Sequence, residues 1–207
     1  MTEFYFVRHG QTTANAKGLK QGVINTPITH LSEKGKQQAQ TLHDHFDISF
    51  ADRIIASPLQ RTQDTAAYLN QTAKLPVSLD ERVLEISYGK WDGQLNADLH
   101  AKYPAVFDDV MQDVLPSYAS LADGETFESV IDRVDEFMHD VNAQFPDEKI
   151  IVVSHGFTIK AAMLAAMGHP DDVMVIQEPD NTSVTKITLA KDNFYIHYFN
   201  RSANGEF

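Results

Sequence analysis

The chain has 207 residues, enough to bury a substantial core. Hydrophobic residues make up 43% and charged residues 22%, a composition that excludes wholesale disorder, collagen-like chains and coiled coils. No cysteine is present, which excludes a disulfide framework, a thiolate nucleophile and cysteine-based metal sites, and fits a reducing compartment. The net charge of −12 repels polyanions, so we expect no nucleic-acid partner.

The sequence contains no signal for a membrane or for secretion. No uninterrupted apolar run reaches the roughly 18 residues that a membrane span needs. The N-terminal residues lack the basic segment and the long apolar segment of a secretory signal. We therefore expect a cytoplasmic protein with no membrane partner.

Short apolar runs alternate with helical patterns along the chain, which is typical of an α/β fold with a mostly parallel sheet. Strands are predicted at 4–7, 51–56, 149–153, 183–189 and 194–199. Helices are predicted at 31–46, 57–70, 126–145 and 157–167. Ser32 is the expected N-cap of the first helix, and Ser57 followed by Pro58 is the expected start of the second.

The segment 94–125 differs in character from its surroundings. Five aspartates alternate there with aromatic and aliphatic residues, and prolines interrupt it at positions 104 and 116. This pattern predicts an acidic helical insertion with an apolar lining. Because the chain contains no repeat, low-complexity tract or linker, we predict one domain, 1–207, that carries this insertion.

Two histidines follow buried strands in the same sequence context. His9 follows the strand at 4–7 and Arg8, and His155 follows the strand at 149–153 and Ser154. Ligand crevices of open α/β sheets form at the carboxyl ends of the strands, so both histidines are candidates for one site. The glycine that follows each of them allows a tight turn and a close approach of the backbone to a ligand.

Arginine is scarce in the chain, and two arginines accompany these histidines. Arg8 precedes His9, and Arg61 lies near the start of the helix that follows the second strand. A planar guanidinium suits bidentate binding of phosphate or carboxylate. We expect these four side chains to form a local positive site within an acidic protein.

Other chemistries have weaker support. His43, His45 and Asp47 are metal-ligand types, but His43 and His45 point about 200° apart on a helix, so no metal site is predicted. The phosphate-binding loop of the NTPases and the nucleophile elbow of the α/β-hydrolases are both missing from the sequence.

The chemical signals fall in four segments, at 8–10 (Arg-His-Gly), 57–66 (Ser-Pro-Leu-x-Arg-Thr-x-x-Thr-Ala), 84–93 (Leu-Glu-x-x-x-Gly-x-Trp-x-Gly) and 154–156 (Ser-His-Gly). In this order they resemble the signature blocks of the histidine phosphatase superfamily. That superfamily includes cofactor-dependent phosphoglycerate mutases and metal-independent phosphatases. The resemblance implies a three-layer α/β sandwich, with segment 94–125 covering the site.

The resemblance also implies a role for each candidate catalytic residue. His9 would accept the phosphoryl group and form a phosphohistidine. Arg8, Arg61 and His155 would bind the equatorial oxygens of that group and stabilise the charge of the transition state. Glu85 would protonate the leaving group and then deprotonate the attacking water.

Asn15, Gln21 and Gly22 are implied to bind the substrate by hydrogen bonds. No metal and no cofactor is expected, and the expected partner is a small phosphorylated metabolite. The sequence leaves a homo-oligomer open.

The balance of charges favours a phosphatase over a mutase. In the mutases the acid is followed directly by arginine, whereas Ile86 follows Glu85 here. Between Trp91 and Arg133 the basic side chains are Lys102 and His100, too few for a second phosphate. We therefore predict a metal-independent phosphomonoester hydrolase that favours an uncharged or apolar leaving group or is promiscuous, with the mutase as the alternative.

Two further readings stay open. Lys17 and Lys20 are close enough in sequence to Asn15 to accommodate a sugar phosphate or a phosphoglycerate as the hydrolysed substrate. A non-catalytic protein that binds phosphorylated ligands is less favoured, because it would be expected to lack His9 or Glu85.

Overall fold

The computed structural model describes residues 1–203, and its centre is a six-stranded sheet. The strands are β1 (Thr2–Arg8), β2 (Arg53–Ala56), β3 (Val77–Leu79), β4 (Lys149–Ser154), β5 (Val184–Ala190) and β6 (Asn193–Arg201). Their order across the sheet is β3-β2-β4-β1-β5-β6. The first four strands in this order run parallel to one another, and β5 and β6 are antiparallel to their neighbours, which confirms the mostly parallel sheet.

Seven α-helices surround the sheet within the described residues. They are α1 (Thr13–Ala16), α2 (Glu33–His45), α3 (Gln60–Leu69), α4 (Asn96–Lys102), α5 (Tyr118–Ala122), α6 (Phe127–Gln144) and α7 (Gly156–Ala166). None of the helices in residues 1–203 has the length and hydropathy to cross a membrane.

The side chains of β1 point alternately to the two faces of the sheet, and each face has its own hydrophobic core. Phe4 and Phe6 pack with residues of α6 and α7, whereas Tyr5 and Val7 pack with residues of α2 and α3. Successive side chains of a strand point to opposite faces of the sheet, so a four-residue apolar run supplies both cores. The expected three-layer sandwich is confirmed.

The start of α3 differs from the prediction. The helix begins at Gln60 with Leu59 as its N-cap, instead of using Ser57 and Pro58. Ser57 is held in the sheet, because its amide donates to the carbonyl of Val153 at 3.0 Å. The first amide of the helix instead donates to Asn25 Oδ1 at 3.0 Å, a cap supplied by a distant loop. Ser32 does cap α2, accepting from the amide of Gly35 at 3.1 Å.

The prediction also missed β3. This strand has three residues, all exposed at the sheet edge, and it pairs with β2 from Ile54↔Val77 to Ala56↔Leu79. Such a short run gives no periodicity to detect.

The segment 94–125 contains two short α-helices, α4 and α5, joined by chain that includes a 3-10 turn at Pro104–Val106. It is anchored by aromatic packing against buried Trp91, whose ring centroid lies 5.2 Å from that of Tyr103 and 5.8 Å from that of Tyr118. The salt bridge between Lys20 Nζ and Asp113 Oδ1, at 2.5 Å, joins this segment to the chain after α1.

Candidate active site

The two candidate histidines lie side by side because β1 and β4 are neighbours. The parallel register pairs Arg8 with Ser154, so His9 and His155 leave the sheet at the same edge. Their ring centroids are 5.2 Å apart, and both side chains are fully buried. This confirms that the carboxyl ends of the two strands bring both histidines together.

The hydrogen bonding of His9 defines which ring nitrogen is available for attack. Nδ1 lies 2.8 Å from the carbonyl oxygen of Gly10. Because a carbonyl can only accept, Nδ1 carries the proton and Nε2 carries the lone pair. Burial, reinforced by the charges of Arg61 and Arg8, holds the pKa of His9 well below its ordinary value. The ring is therefore a neutral imidazole.

Arg61 is a buried guanidinium that joins three segments. Its Nη2 donates to the carbonyl of Gly22 at 2.7 Å, its Nη1 donates to the carbonyl of Ile24 at 3.0 Å, and its Nε donates to Nδ1 of His155 at 3.2 Å. Burial lowers the pKa of Arg61 to about 10, so the side chain stays charged at neutral pH. Two of its five N–H groups remain beyond these three bonds.

Both ring nitrogens of His155 have partners. Since Nδ1 accepts from Arg61, Nε2 carries the proton and donates to Ser57 Oγ at 2.8 Å. Burial and the charge of Arg61 hold the pKa of His155 well below its ordinary value. Sequence reasoning assigned Ser57 to a helix cap, whereas the structure uses it to fix this ring.

Arg8 lies in the wall of the site with an incomplete set of partners. Its Nη1 donates to the carbonyl of Pro179, and its Nη2 lies 3.6 Å from Oε2 of Glu178. Its Nε is buried and has no hydrogen-bond partner among residues 1–203. A buried charged donor without an acceptor suits the binding of an anion.

Glu85 is held at the N-terminus of α7. Its Oε1 accepts from the amides of Ile86 at 3.0 Å and Thr158 at 3.2 Å, and its Oε2 accepts from the amide of Phe157 at 3.4 Å. Arg133 donates to the carbonyl of Glu85 at 3.4 Å. Backbone donors from two segments therefore fix the orientation of the carboxylate.

The three predicted binding residues come from the chain after His9. Asn15 Oδ1 accepts from the amide of Thr12 at 3.1 Å, which leaves the amide nitrogen of Asn15 as a donor. Gln21 Oε1 accepts from Thr12 Oγ1 at 2.7 Å, which orients that side chain in the same way. Gly22 has a φ of +48°, and a Cβ there would overlap the carboxylate of Asp92, so glycine is required.

A cavity of about 400 Å³ adjoins these groups. Five of the predicted residues line it: Arg8, Asn15, Gln21, Gly22 and Glu85. The other three, His9, Arg61 and His155, are fully buried and do not belong to the cavity lining. Segment 94–125 contributes Asn96 and 111–113 to the wall.

The cavity wall also contains residues that the sequence analysis did not consider, chiefly Lys160 and Glu178. Glu178 lies in an irregular loop that has no detectable pattern. Lys160 could have been noticed, because it is the one charged residue in the apolar sequence of α7.

No group of three or more potential metal ligands occurs within residues 1–203. His43 Nδ1 lies 3.2 Å from the carbonyl of Leu69, and His45 Nδ1 lies 2.8 Å from the carbonyl of Thr41. The two rings thus contact different parts of the structure.

We predict a pH-dependent effect of Glu178 on stability. Burial, together with the negative charges of Asp113 and Glu85, raises the pKa of Glu178 to about 7, against the lowering effect of Arg8. A carboxyl group with a raised pKa contributes stability that is complete below about pH 4.5 and is lost as the pH rises through about 7. Glu178→Gln should therefore gain stability relative to the wild type by about 1–2 kcal/mol more at pH 8 than at pH 5.

Denaturant unfolding of both proteins at the two pH values measures this difference. The exposed Glu128→Gln on α6 is the matched control for replacing a glutamate outside the cavity. An equal difference for Glu178→Gln at pH 5 and pH 8 would contradict the raised pKa.

The chain matches known proteins along nearly its whole length. The model of the histidine phosphatase superfamily (branch 1) matches residues 4–202. Phosphoserine phosphatase 1 of Hydrogenobacter thermophilus is 32% identical, over 81% of this chain and 77% of the relative. Adenosylcobalamin/alpha-ribazole phosphatase of Escherichia coli is 30% identical, over 82% of this chain and 81% of the relative.

Solved structures agree with the sequence matches. Bacillus stearothermophilus YhfR superimposes with a TM-score of 0.85 at 28% identity, covering 97% of this chain and 98% of that protein. The likeness therefore extends to the arrangement of the whole fold.

Proposed function

We propose that this chain, which belongs to the histidine phosphatase superfamily (branch 1) and is a phosphatase, hydrolyses small phosphomonoesters through His9 without a metal ion. The observation that carries the proposal is the state of His9, a buried neutral imidazole whose Nδ1 donates to Gly10 and whose Nε2 holds the lone pair. A neutral, oriented nitrogen is the form that attacks phosphorus.

In the first step, Nε2 of His9 attacks the phosphorus atom in line with the ester oxygen. The new N–P bond forms as the P–O bond breaks, and the leaving oxygen takes a proton from the carboxyl group of Glu85. In the second step, water attacks the phosphohistidine, Glu85 takes the proton, and inorganic phosphate leaves with His9 restored.

The charge of the transferring phosphoryl group is stabilised by protein donors. Arg8 offers its unpartnered buried Nε, and Arg61 offers its remaining N–H groups. The ring N–H of His155, which donates to Ser57 Oγ in the free protein, would turn to an oxygen of the bound phosphoryl group, and the amide groups of Asn15 and Gln21 orient the substrate. Preorganised cations in a buried site stabilise developing charge strongly, which is the role that metal ions have in many phosphoryl-transfer enzymes.

The charges of the cavity support hydrolysis over mutase activity. Besides Glu85, which donates the first proton, two acidic side chains line it, those of Asp113 and Glu178. Lys20, which sequence analysis considered a possible partner for charged substrates, is paired with Asp113. A mutase must retain a doubly phosphorylated intermediate, and these acidic groups oppose a second phosphate dianion.

The substrate is a small phosphorylated metabolite, as the cavity volume of about 400 Å³ suits. Segment 94–125 covers it, since Asn96 and Asp113 belong to the cavity wall. The chain 1–207 forms one domain. It acts in the cytoplasm, a reducing compartment in which a protein without cysteine needs no disulfides.

His9→Ala should abolish turnover, with a fall of about 10⁴ or more in kcat, because the nucleophile is lost. Rapid mixing with radiolabelled phosphomonoester and quenching in alkali should trap a phosphoenzyme in the wild type and none in the variant. His45→Ala, on the exposed end of α2, is the control and should retain the phosphoenzyme. A phosphoenzyme of normal amount in His9→Ala would refute the assignment.

Glu85→Gln should slow substrates according to their leaving groups. Alkyl monoesters, whose leaving oxygen needs a proton, should slow by about 10²–10⁴, and p-nitrophenyl phosphate should slow far less. Steady-state kcat for the two substrate types gives the comparison, with Glu128→Gln as an exposed control. Equal losses on both substrate types would rule out proton transfer by Glu85.

Metal removal separates the remaining alternatives. Because cationic side chains take the place of a metal, dialysis against EDTA should leave phosphate release unchanged. Phosphate release from 3-phosphoglycerate should occur without formation of 2-phosphoglycerate, with or without 2,3-bisphosphoglycerate. Isomerisation stimulated by the bisphosphate would instead identify a mutase, and loss of activity in EDTA would identify a metal-dependent enzyme.

A further inference from the structure

Lys160 is a buried cation in the wall of the cavity. It lies on α7, where every residue from Gly156 to Ala165 is buried, and its side chain is only 2% exposed. Long charged side chains are almost never fully buried unless they are paired. The phosphoryl-transfer chemistry above does not use it.

The ammonium group of Lys160 has no ionic partner among the described residues. Its hydrogen-bond contact is with Sδ of Met174 at 3.8 Å, and no carboxylate oxygen in residues 1–203 lies within 4.0 Å. The rings of Phe127 and Phe157 are centred 5.8 Å from Nζ. Thioether sulfur is a weak acceptor, so these contacts compensate little of the cost of burying the charge.

The other cations of the cavity wall differ from Lys160 in this respect. Lys20 is paired with Asp113 at 2.5 Å, and Arg8 lies 3.6 Å from Glu178. Burial lowers the pKa of Lys160, and the charges of Asp113 and Glu178 oppose this at longer range. An anionic group of a ligand would therefore stabilise the charge of Lys160 more than that of Lys20 or Arg8, which already have a carboxylate nearby.

The helix places this cation within reach of a molecule bound at the phosphate site. His155 is the N-cap of α7, and Lys160 is five residues further on, about 7.5 Å along the helix axis. Side chains of a helix incline towards its N-terminus, which here is the end that adjoins His155 and Glu85. Arg8 and Lys160 line the same cavity, so a small phosphomonoester can contact Arg8 with its phosphate and Lys160 with a second group.

We propose that Lys160 forms a subsite for the carboxylate of the substrate, so that the enzyme prefers phosphomonoesters of small hydroxy acids and hydroxy amino acids. One ammonium matches one carboxylate charge. A second phosphate, with about two charges, would face the three acids of the same cavity. This proposal rests on the proposed function and replaces the expectation of an uncharged leaving group, which considered Lys17, Lys20 and the basic residues between positions 91 and 133 but not Lys160.

The test compares substrates that differ by a carboxylate. O-phosphoserine and O-phosphoethanolamine share the phosphate and the ammonium group, and only the former has the carboxylate. The wild type should prefer O-phosphoserine by 10-fold or more in kcat/KM. Lys160→Met, which keeps the length of the side chain beside Met174, should reduce that preference by about 10- to 100-fold, the contribution of a charge-assisted hydrogen bond.

A second substrate pair and a control variant complete the design. 3-Phosphoglycerate and glycerol 3-phosphate form a pair without an ammonium group, and Lys160→Met should reduce the preference for the former similarly. Lys34→Met, on the exposed face of α2, should keep both preferences. If Lys160→Met fails to fold, Lys160→Gln and the wild-type ratios still decide the question.

The outcomes separate the two proposals. A wild-type preference near one, or a preference that Lys160→Met leaves intact, overturns the carboxylate subsite while phosphate release continues to support the phosphatase. Lack of phosphate release from every monoester, p-nitrophenyl phosphate included, overturns the proposed function and the subsite with it.

Discussion

The arrangement of the site depends on one buried guanidinium. Arg61 binds the carbonyls of Gly22 and Ile24 and the ring of His155, and so connects the loop after α1, the start of α3 and the junction of β4 with α7. Its charge also lowers the pKa of both His9 and His155. A charge inside the protein is tolerated only if it has hydrogen-bond partners, and these acceptors take three of its five N–H groups. The contacts therefore stabilise the charge, which adds to the effect of burial in keeping the two imidazoles neutral.

The site combines opposite charges within an acidic protein. The net charge of −12 would repel a phosphorylated substrate over most of the surface. Arg8, Arg61 and Lys160 reverse the sign locally, and Glu85, Asp113 and Glu178 limit that reversal to a small region. Such alternation favours ligands whose own charges alternate over a short distance, and it disfavours large polyanions.

Sequence patterns predicted the fold well where periodicity is strong. The runs at 4–7 and 149–153 have strand character, whereas the pairing of β1 with β4 is seen only in the structure. The three-residue strand β3 and the start of α3 could not be predicted, because they depend on pairing with β2 and on a cap from Asn25. Local sequence patterns do not show which distant segments will pair with a strand or cap a helix.

In the site, too, local motifs could be predicted from the sequence, whereas contacts between distant segments could not. Sequence motifs identified His9, His155, Arg8 and Glu85, because each lies near the end of a predicted strand or within one of the four signature segments. Their hydrogen bonds, such as that of His155 with Ser57, depend on the three-dimensional structure. Lys160 is visible in the sequence as the one charged residue of an apolar helix, but that it is buried and lines the cavity is shown only by the structure.

The hydrogen bond from the amide of Gln60 to Asn25 couples the first turn of α3 to a distant loop. The loop that contains Asn25 also supplies Gly22 and Ile24 to Arg61, whose helix begins one residue earlier, at Gln60. Loss of the loop contacts would remove the cap of α3 and two acceptors of the guanidinium together. We therefore expect the loop and the first turn of α3 to open together, so that amide hydrogens in both exchange with solvent at matching rates.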